Sequence, residues 1–398
     1  MIPLPSALLR LVAAALFAFA SAGFAAESAT APGAGPEKAL SGVLEAIESN
    51  RLDLAMQRVE ALIAEHPNFR LAHLIRGDLL FARGRPLETF GNVPKTVPRE
   101  KVEDLRAEAL LRLRAFRDRP NADRVPRYVL QLNADQKYAL VVDSRRSRLY
   151  VFENVGGRPQ FIADYYVTLG KNGVEKTREG DQKTPVGVYH VTANLPRQKL
   201  TDFYGSGAFP INYPNAWDRQ QGRNGHGIWL HGTPSDTYSR PPRASDGCIV
   251  LANADLNVVG RTVQVGLTPV IITDEIEWTD ASTQDAERKG LADAFESWRT
   301  AWENRDTDAY LGHYTARFNS DDQNLAAWSE HKRKVNGSKS WIKVAASRVS
   351  MLQYPRESFV VVSFDQDYRS SNLSNVMRKR QYWIKEDGRW RILYEGGA

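Results

Sequence analysis

The spacing of apolar residues changes along this 398-residue chain, and those changes constrain its fold more than any other feature. From Lys38 to about Phe116 the apolar residues recur every three or four positions, which predicts amphipathic helices. Near Val125 this spacing gives way to short alternating runs between glycine-rich turns, which predict strands. A chain of this length is expected to form two or three cores. The predicted fold class is therefore multidomain α+β.

Residues 37–124 are predicted to form an α-helical module behind a flexible leader at residues 27–36, which is rich in alanine, glycine and proline. Asn50 to Asp53 make the turn between the first two helices, and a third helix runs towards Gly84. The arrangement resembles one tetratricopeptide-like helical pair with an extra helix. A repeat of about 34 residues is not visible, so the prediction is limited to a helical module.

Residues 125–275 are predicted to form a compact, mostly β domain, because strand patterns alternate with turns and few helices intervene. The predicted strands are Tyr138–Asp143, Arg148–Phe152, Phe161–Thr168, Gly187–Thr192, Gly227–His231 and Thr262–Ile272.

Residues 276–284 read as a polar linker to a third domain at residues 285–398. Helices are predicted there at Asp285–Asn304 and Leu325–Val335, and long strands close the chain. Asp387-Gly388 is a typical hairpin turn within the last of them. Helices followed by a curved antiparallel sheet resemble the NTF2-like cone fold.

Residues 1–26 have the pattern of a secretory signal peptide: Arg10, then the apolar run Leu11–Ala20, then small residues. An uncleaved membrane anchor is the alternative. No later run reaches the roughly 18–20 apolar residues that span a bilayer. The sequence therefore predicts export to the periplasm and no transmembrane domain in the mature chain.

The formal net charge of +6 is mild and would favour an anionic partner such as a cell-wall polymer or lipid headgroups. A solvated basic surface explains the same charge. The sequence has no basic helix, zinc spacing or aromatic–basic motif, so no nucleic-acid partner is expected.

Cys248 is the only cysteine of the chain, and an exported protein cannot use it for an internal disulfide. His231 lies seventeen residues upstream, and each of the two adjoins a glycine. A histidine within hydrogen-bond reach can take the proton of a thiol and later return one to a leaving amine. The pair therefore predicts acyl transfer, with Cys248 as nucleophile and His231 as general base.

The negative charge of a tetrahedral intermediate requires hydrogen-bond donors. The backbone N–H groups of Gly247 and Cys248 are near enough in sequence to supply them. Glycine before the nucleophile also leaves room for the substrate and allows a positive φ.

His231-Gly232-Thr233-Pro234 followed by Ser245-Asp246-Gly247-Cys248 resembles the signature of the YkuD-type L,D-transpeptidases. In that family a histidine precedes a Ser-His-Gly-Cys run by a similar spacing. Upstream, Gly170 to Gly173 and Gly180 to Gly187 are similar to its glycine-rich and Thr-Pro-x-Gly segments. The resemblance spans about residues 137–275.

Within the family, the domain order resembles the proteobacterial branch that includes peptidoglycan L,D-carboxypeptidases controlling helical cell shape. The resemblance implies that the main-chain oxygen of Gly232 orients His231. It also implies attack at the L-centre of meso-diaminopimelate in a peptidoglycan stem tetrapeptide, with release of D-alanine. Water as acceptor gives a carboxypeptidase, and a second stem amine gives a 3→3 crosslink. No cofactor is implied.

Two positions depart from the family pattern: Asp246 replaces the usual histidine, and Val250 replaces a polar or basic residue. An anion beside the thiol is expected to raise its pKa, with His231 or Arg243 compensating. Both changes cast more doubt on transpeptidation than on acyl-enzyme formation, so the sequence favours a carboxypeptidase.

Several other residues are candidates for substrate contact. Arg240 and Arg243 lie between base and nucleophile, and arginine suits carboxylates. His226 is a rival base or a pocket residue, and His190 is expected to be structural or exposed. The full set of substrate-binding candidates is Arg243, Arg240, Ser245, Asp246, His226, Trp229 and Tyr204.

Two other classes of function remain open on the sequence. A non-catalytic wall-binding scaffold would explain Asp246 as lost chemistry. A metal site could use His226, His231, Asp246 and Cys248, although their spacing matches no familiar zinc pattern. Dimerisation through the N-terminal helices is a further hypothesis, by analogy with the family.

Overall fold

The computed structural model describes residues 36–397 apart from residues 88, 94, 95, 119, 120, 122, 321 and 322. The predicted signal peptide lies outside these residues. So does the predicted leader except for Pro36, which is the first residue of a helix. Within the described residues, no helix combines the length and apolar character needed to cross a bilayer.

The N-terminal module is helical, as the apolar spacing predicted. Its core is formed by the inner faces of the first three helices, with Leu40, Val59 and Phe69 among the buried residues. The fourth helix packs Leu105 and Ala109 against this core and also buries the charged side chains of Glu108 and Arg112. The helices are α1 Pro36–Glu48, α2 Leu52–Glu65, α3 Arg70–Ala82 and α4 Arg99–Arg117.

The central domain contains a sheet of five strands, ordered β5-β4-β3-β13-β7, and a smaller sheet ordered β12-β10-β9-β8. The short strands β6 and β11 pair in parallel beside them. These strands are β3 Tyr138–Asp143, β4 Arg148–Val155, β5 Arg158–Tyr166, β6 Leu169–Gly170, β7 Gly187–His190, β8 Leu195–Pro196, β9 Gly207–Pro210, β10 Trp229–His231, β11 Arg243–Ser245, β12 Ile249–Val250 and β13 Pro269–Thr273. One apolar core, which includes Leu140, Leu230 and Ile249, lies between the sheets, and a second, which includes Val141 and Tyr150, covers the other face of the large sheet.

Part of this domain differs from the predicted strands. The helices α5 Ala216–Gln220 and α6 Asn253–Gly260 were not predicted. The strand expected from Thr262 begins only at Pro269, because residues 262–268 form a turn. Thr268 closes that turn by accepting from the Gln264 N–H at 2.8 Å through its hydroxyl, and by donating its own N–H to Gln264 at 2.9 Å.

The C-terminal domain packs helices against a sheet ordered β15-β19-β18-β17-β16-β2. Its edge strand β2 comes from residues before the central domain. The helices are α7 Ala281–Glu303, α8 Thr307–Leu311 and α9 Leu325–Gly337, and the strands are β2 Val129–Gln131, β15 Tyr314–Asn319, β16 Ile342–Gln353, β17 Phe359–Ser370, β18 Leu373–Glu386 and β19 Arg389–Gly397. Asp387 and Gly388 both have positive φ in the predicted hairpin turn. The predicted fold class is confirmed.

The segment at residues 276–284, expected to be a linker, is folded. Strand β14, Trp278–Asp280, pairs with β1, Arg124–Pro126, and α7 begins at Ala281. The physical reason is apolar burial, because Ile276 is 4% exposed and belongs to the core under the large sheet.

The helical module contacts the loop that joins β10 to β11, and it does so through buried charge. The hydroxyl of Ser239 in that loop donates to Glu108 Oε1 of α4 at 2.8 Å. Arg112, one turn further along α4, contacts Glu108 Oε1 at 2.8 Å and also pairs with Glu37. Tyr238 places its ring 4.1 Å from that of Phe69. The loop is therefore held from the side of the helices.

Replacing Arg112 with alanine should destabilise the protein strongly. The change leaves Glu108 without its counter-charge, and Glu37 with Arg148 alone, at a site where the Arg112 and Glu108 side chains are only 3% and 2% exposed. Breaking a buried pair from one side costs about 3–5 kcal/mol. Urea unfolding followed by circular dichroism should show this loss, and the double variant Glu108→Gln/Arg112→Met should show a smaller one. A single variant as stable as the parent protein would contradict the role of this pair.

Candidate active site

Cys248 follows a tight turn between β11 and β12. Ser245 closes the turn, because its hydroxyl donates to the Cys248 carbonyl at 2.6 Å and accepts from the Gly247 N–H at 3.1 Å. Gly247 has a φ of 125°. A Cβ atom there would lie 2.6 Å from the Lys183 carbonyl oxygen, so the position requires glycine. The turn fixes where the sulfur lies.

The strand register brings His231 and Cys248 to the same face of the small sheet. Strands β10 and β12 run parallel, with Leu230 opposite Ile249 and His231 opposite Val250. Leu230 and Ile249 point into the domain core. Because side chains alternate along a strand, His231 points to the other face. Cys248 directly precedes Ile249, the first residue of β12, so the same alternation puts its side chain on that face, and Arg240 acts on both groups. The thiol itself donates to the Gly227 carbonyl oxygen at 3.3 Å.

The imidazole of His231 is held in one tautomer. Its Nδ1 lies 2.7 Å from the Gly232 carbonyl oxygen, which can only accept, so Nδ1 carries the hydrogen. A neutral ring therefore has its lone pair on Nε2. The rings of Tyr204 and Phe203 lie 5.1 and 5.8 Å from the imidazole, which is 1% exposed as a residue. The contact with Gly232 is the one that the family resemblance implied.

The site keeps both groups uncharged at rest. The pKa of His231 is lowered to about 4, chiefly by burial and also by Arg240, against the opposing effect of the Gly232 carbonyl. The pKa of the Cys248 thiol is raised to about 11, chiefly by burial and also by Asp246, while the Trp229 backbone, Arg240 and Lys176 act in the opposite direction. A thiol and a neutral imidazole are therefore the resting forms over the physiological pH range.

Asp246 acts on the thiol in the predicted direction, but its carboxylate is also engaged. Lys171 Nζ and Gln182 Nε2 contact the same oxygen at 2.9 and 3.0 Å. The side chain is 67% exposed and so lies at the surface of the site. Val250, the second departure, is buried at 2% exposure and presents only methyl groups.

The other candidates are placed as follows. Arg240 lies 4.8 Å above the ring of Phe203, within electrostatic reach of the pair. Arg243 is exposed and lies over Gly173, where an added Cβ would be 2.7 Å from Nη1. His226 is an exposed side chain before β10, 3.5 Å from Glu179 Oε1.

Trp229 and Tyr204 form an aromatic wall beside the imidazole. Their ring centroids are 4.8 Å apart. Ser245 is engaged with the turn at both its donor and its acceptor side, so its side chain stabilises the loop. The Gly247 N–H was expected to donate to the oxyanion, but it donates to the Ser245 hydroxyl instead. Of the two predicted oxyanion donors, the Cys248 N–H remains.

Sequence reasoning missed a buried ion pair in the neighbouring loop. Lys176 and Asp181 contact at 2.8 Å with side chains 4% and 7% exposed. Burial alone would raise the pKa of Asp181, but Lys176 and three backbone N–H groups together lower it to about 2. The signal was the pair of opposite charges five residues apart in a glycine-rich segment. Within the part of the chain that the structure describes, no three His, Cys, Asp or Glu side chains are arranged to hold a metal.

Two family profiles match the chain. That of the L,D-transpeptidase catalytic domain, YkuD, matches residues 137–272, and that of the Cds6 C-terminal NTF2-like domain matches residues 290–396. The putative L,D-transpeptidase YafK of Escherichia coli K12 is 28% identical over 150 residues, or 37% of this chain. The chain spans 59% of the length of that curated relative.

Solved structures agree over a longer span. Bd1075 of Bdellovibrio bacteriovorus is 31% identical, with a TM-score of 0.60, and the match covers 69% of this chain and 98% of that one. The helical cell shape determining protein Pgp2 of Campylobacter jejuni is 27% identical, with a TM-score of 0.58, covering 68% and 95% respectively.

Alkylation of Cys248 by iodoacetamide should be slow at neutral pH and should rise with pH beyond 9. A pKa of about 11 leaves a thiolate fraction of about 10⁻⁴ at pH 7, roughly two orders of magnitude below that of an ordinary cysteine. Asp246→Asn should speed the reaction, since the carboxylate raises the pKa of the thiol. Intact-protein mass spectrometry reports a single site, because the chain has one cysteine. A rate that levels off below pH 8 would reveal a resting thiolate and contradict this assignment.

Proposed function

The chain belongs to the YkuD-type L,D-transpeptidase family, and on that premise we propose that it is a cysteine-dependent peptidoglycan L,D-carboxypeptidase. In this proposal it removes the terminal D-alanine from stem tetrapeptides and leaves tripeptides. The observation that carries the proposal is the placement of Cys248 and a single-tautomer His231 on one face of adjacent strands.

The first half of the reaction forms a thioester. The Cys248 proton passes to Nε2 of His231 as the sulfur attacks the carbonyl carbon at the L-centre of meso-diaminopimelate. Proton transfer and C–S bond formation go together, because the pKa values of the two groups disfavour a separate thiolate–imidazolium pair. The imidazolium then gives its proton to the amine of D-alanine as the C–N bond breaks.

The second half of the reaction releases the tripeptide. His231 takes a proton from water as the water oxygen attacks the thioester carbonyl carbon. The C–S bond then breaks, and the imidazolium returns the proton to the sulfur, which restores the thiol. In both halves the Gly232 carbonyl holds the ring and stabilises its protonated form. The Cys248 N–H donates to the developing oxyanion, and Ser245 stabilises the turn that presents it.

Water is favoured over an amine as the acceptor by the charges at the surface of the site. An acceptor amine must lose its proton before it can attack a thioester. Asp246 already holds one ammonium group, that of Lys171 at 2.9 Å, and an acceptor ammonium beside its exposed carboxylate would likewise be stabilised against that loss. Water carries no charge that the carboxylate could stabilise. Val250 offers an incoming amine no hydrogen bond. These two side chains support hydrolysis over crosslinking.

The remaining candidates keep substrate-binding roles in the proposal. Arg240 and Arg243 provide charge for the carboxylates of the stem peptide, and His226, Tyr204 and Trp229 line its approach. We propose that the protein acts in the periplasm, where its substrate lies. The predicted signal peptide at residues 1–26 supports this location.

The decisive experiment incubates the protein with purified disaccharide tetrapeptide and weighs the products. Tripeptide should form with the parent protein, and Cys248→Ala should abolish its formation. His231→Ala should lower the rate by a factor of about 10²–10⁴, the usual contribution of a general base.

His331→Ala is the matched control, since His331 is an exposed histidine on α9. A product of doubled mass would show that the reaction is 3→3 crosslinking and not hydrolysis. Equal turnover by Cys248→Ala and the parent protein would end the enzymatic assignment and favour a wall-binding scaffold.

A further inference from the structure

A cavity of about 280 Å³ lies between the central domain and the C-terminal sheet. Its walls are His190 and Asn212 on one side and Ser350, Ser363 and Arg380 on the other. It continues outward into an open cleft that shares His190, Asn212 and Arg380 and adds Arg219. None of the residues that surround Cys248 and His231 lines either space.

The cavity lies on the outer face of the C-terminal sheet. Along β17, Val360 and Val362 point into the core under the helices of that domain. The alternate residues Val361 and Ser363 point the other way, and both line the cavity. The space is therefore distinct from the interior of the cone.

The cleft has an excess of positive charge. Arg378 is paired with Asp365 at 2.6 Å and is thereby neutralised. Within the described part of the chain, neither Arg380 nor Arg219 forms an ion pair with a carboxylate. The neighbouring Asp218 is buried and pairs with Arg223 at 3.0 Å. An anion that enters the cleft would meet two guanidinium groups with unused charge.

Uncharged polar groups accompany those arginines. Ser350 is 3% exposed and Ser363 is half-buried, and neither hydroxyl forms a hydrogen bond within the described residues. Both residues line the cavity, so their hydroxyls are open to solvent or to a ligand there. Burial, with Arg380 and Arg378, lowers the pKa of His190, so its ring is neutral and can both donate and accept.

We propose that this interdomain cleft binds a carboxylate-bearing ligand of amino-acid or amino-sugar size. The carboxylate lies against Arg380, whose planar fork suits two oxygens, and Ser350, Asn212 and His190 contact the polar atoms around it. The volume suits a small ligand or one residue of a polymer. Two sources share this chemistry, a stem peptide of the wall polymer and a free amino acid. The first source rests on the proposed function.

Binding is measured by calorimetry in the full-length Cys248→Ala protein, which cannot turn over its ligand. The probes are disaccharide tetrapeptide, free D-alanine and inorganic phosphate. Arg380→Gln should weaken the binding of one or both carboxylate probes by about tenfold, the effect of one charge-assisted contact. Arg389→Gln is the matched control, since Arg389 is an exposed arginine of the same domain.

Loss of tetrapeptide binding alone would assign the cleft to the polymer, and loss of D-alanine binding would assign it to the free amino acid. Equal affinities in Arg380→Gln and Arg389→Gln would overturn the proposal. So would phosphate binding as tightly as the carboxylates.

If Arg380→Gln melts at a markedly lower temperature than the parent protein, the binding measurement is repeated with Ser363→Leu. This variant fills the cavity without removing a charge. It should lower the affinity to a similar degree, and unchanged affinity would overturn the proposal. Failure of the proposed function would appear separately, as absence of tripeptide with the parent protein. Binding in the Cys248→Ala chain does not depend on that result.

Discussion

The parallel pairing of β10 with β12 is the constraint on which the site depends. It places His231 and Cys248 on one face while Leu230 and Ile249 anchor the same two strands in the core. A shift of one residue in this register would send either the imidazole or the sulfur into the apolar interior. The turn closed by Ser245 and the glycine at position 247 keep the register where it is.

Burial then sets the chemistry of the paired side chains. The same aromatic cover that excludes water from His231 disfavours its charged form, and burial of the sulfur disfavours the thiolate. The resting site is therefore neutral and unreactive towards adventitious electrophiles. In the proposed reaction, charge develops only when a carbonyl group is present to accept the electrons of sulfur, which would link reactivity to the bound substrate.

The sequence was sufficient for the local parts of this picture. The cysteine, the histidine and the glycines around them predicted the family, and the period of the apolar residues predicted the helical module and most strands. The Gly232 contact also followed from the family resemblance, because it joins two residues that are adjacent in sequence. The short helix α6 escaped notice, since it spans only eight residues and ends at a glycine.

Contacts between distant segments were out of reach of sequence reasoning. No local pattern in α4 indicates that Glu108 meets Ser239, and nothing in residues 129–131 shows that they join a sheet from the other end of the chain. The hydrogen bond from the Gly247 N–H to the Ser245 hydroxyl depends on the side-chain rotamer of Ser245, which a sequence motif does not specify. Such contacts are set by how the domains pack together.

The edge strand β2 has a consequence for how the protein is made. Gln131 donates to the Val349 carbonyl oxygen at 3.1 Å across 218 residues of sequence, and Leu130 lies in the core of the C-terminal domain. During translation this strand leaves the ribosome long before its partner β16 exists. Its backbone groups on that side remain without their sheet partner until the last domain emerges. Gene truncations that remove the C-terminus would therefore leave an open strand in the remaining protein, and duplication of the catalytic region alone would not yield a closed unit.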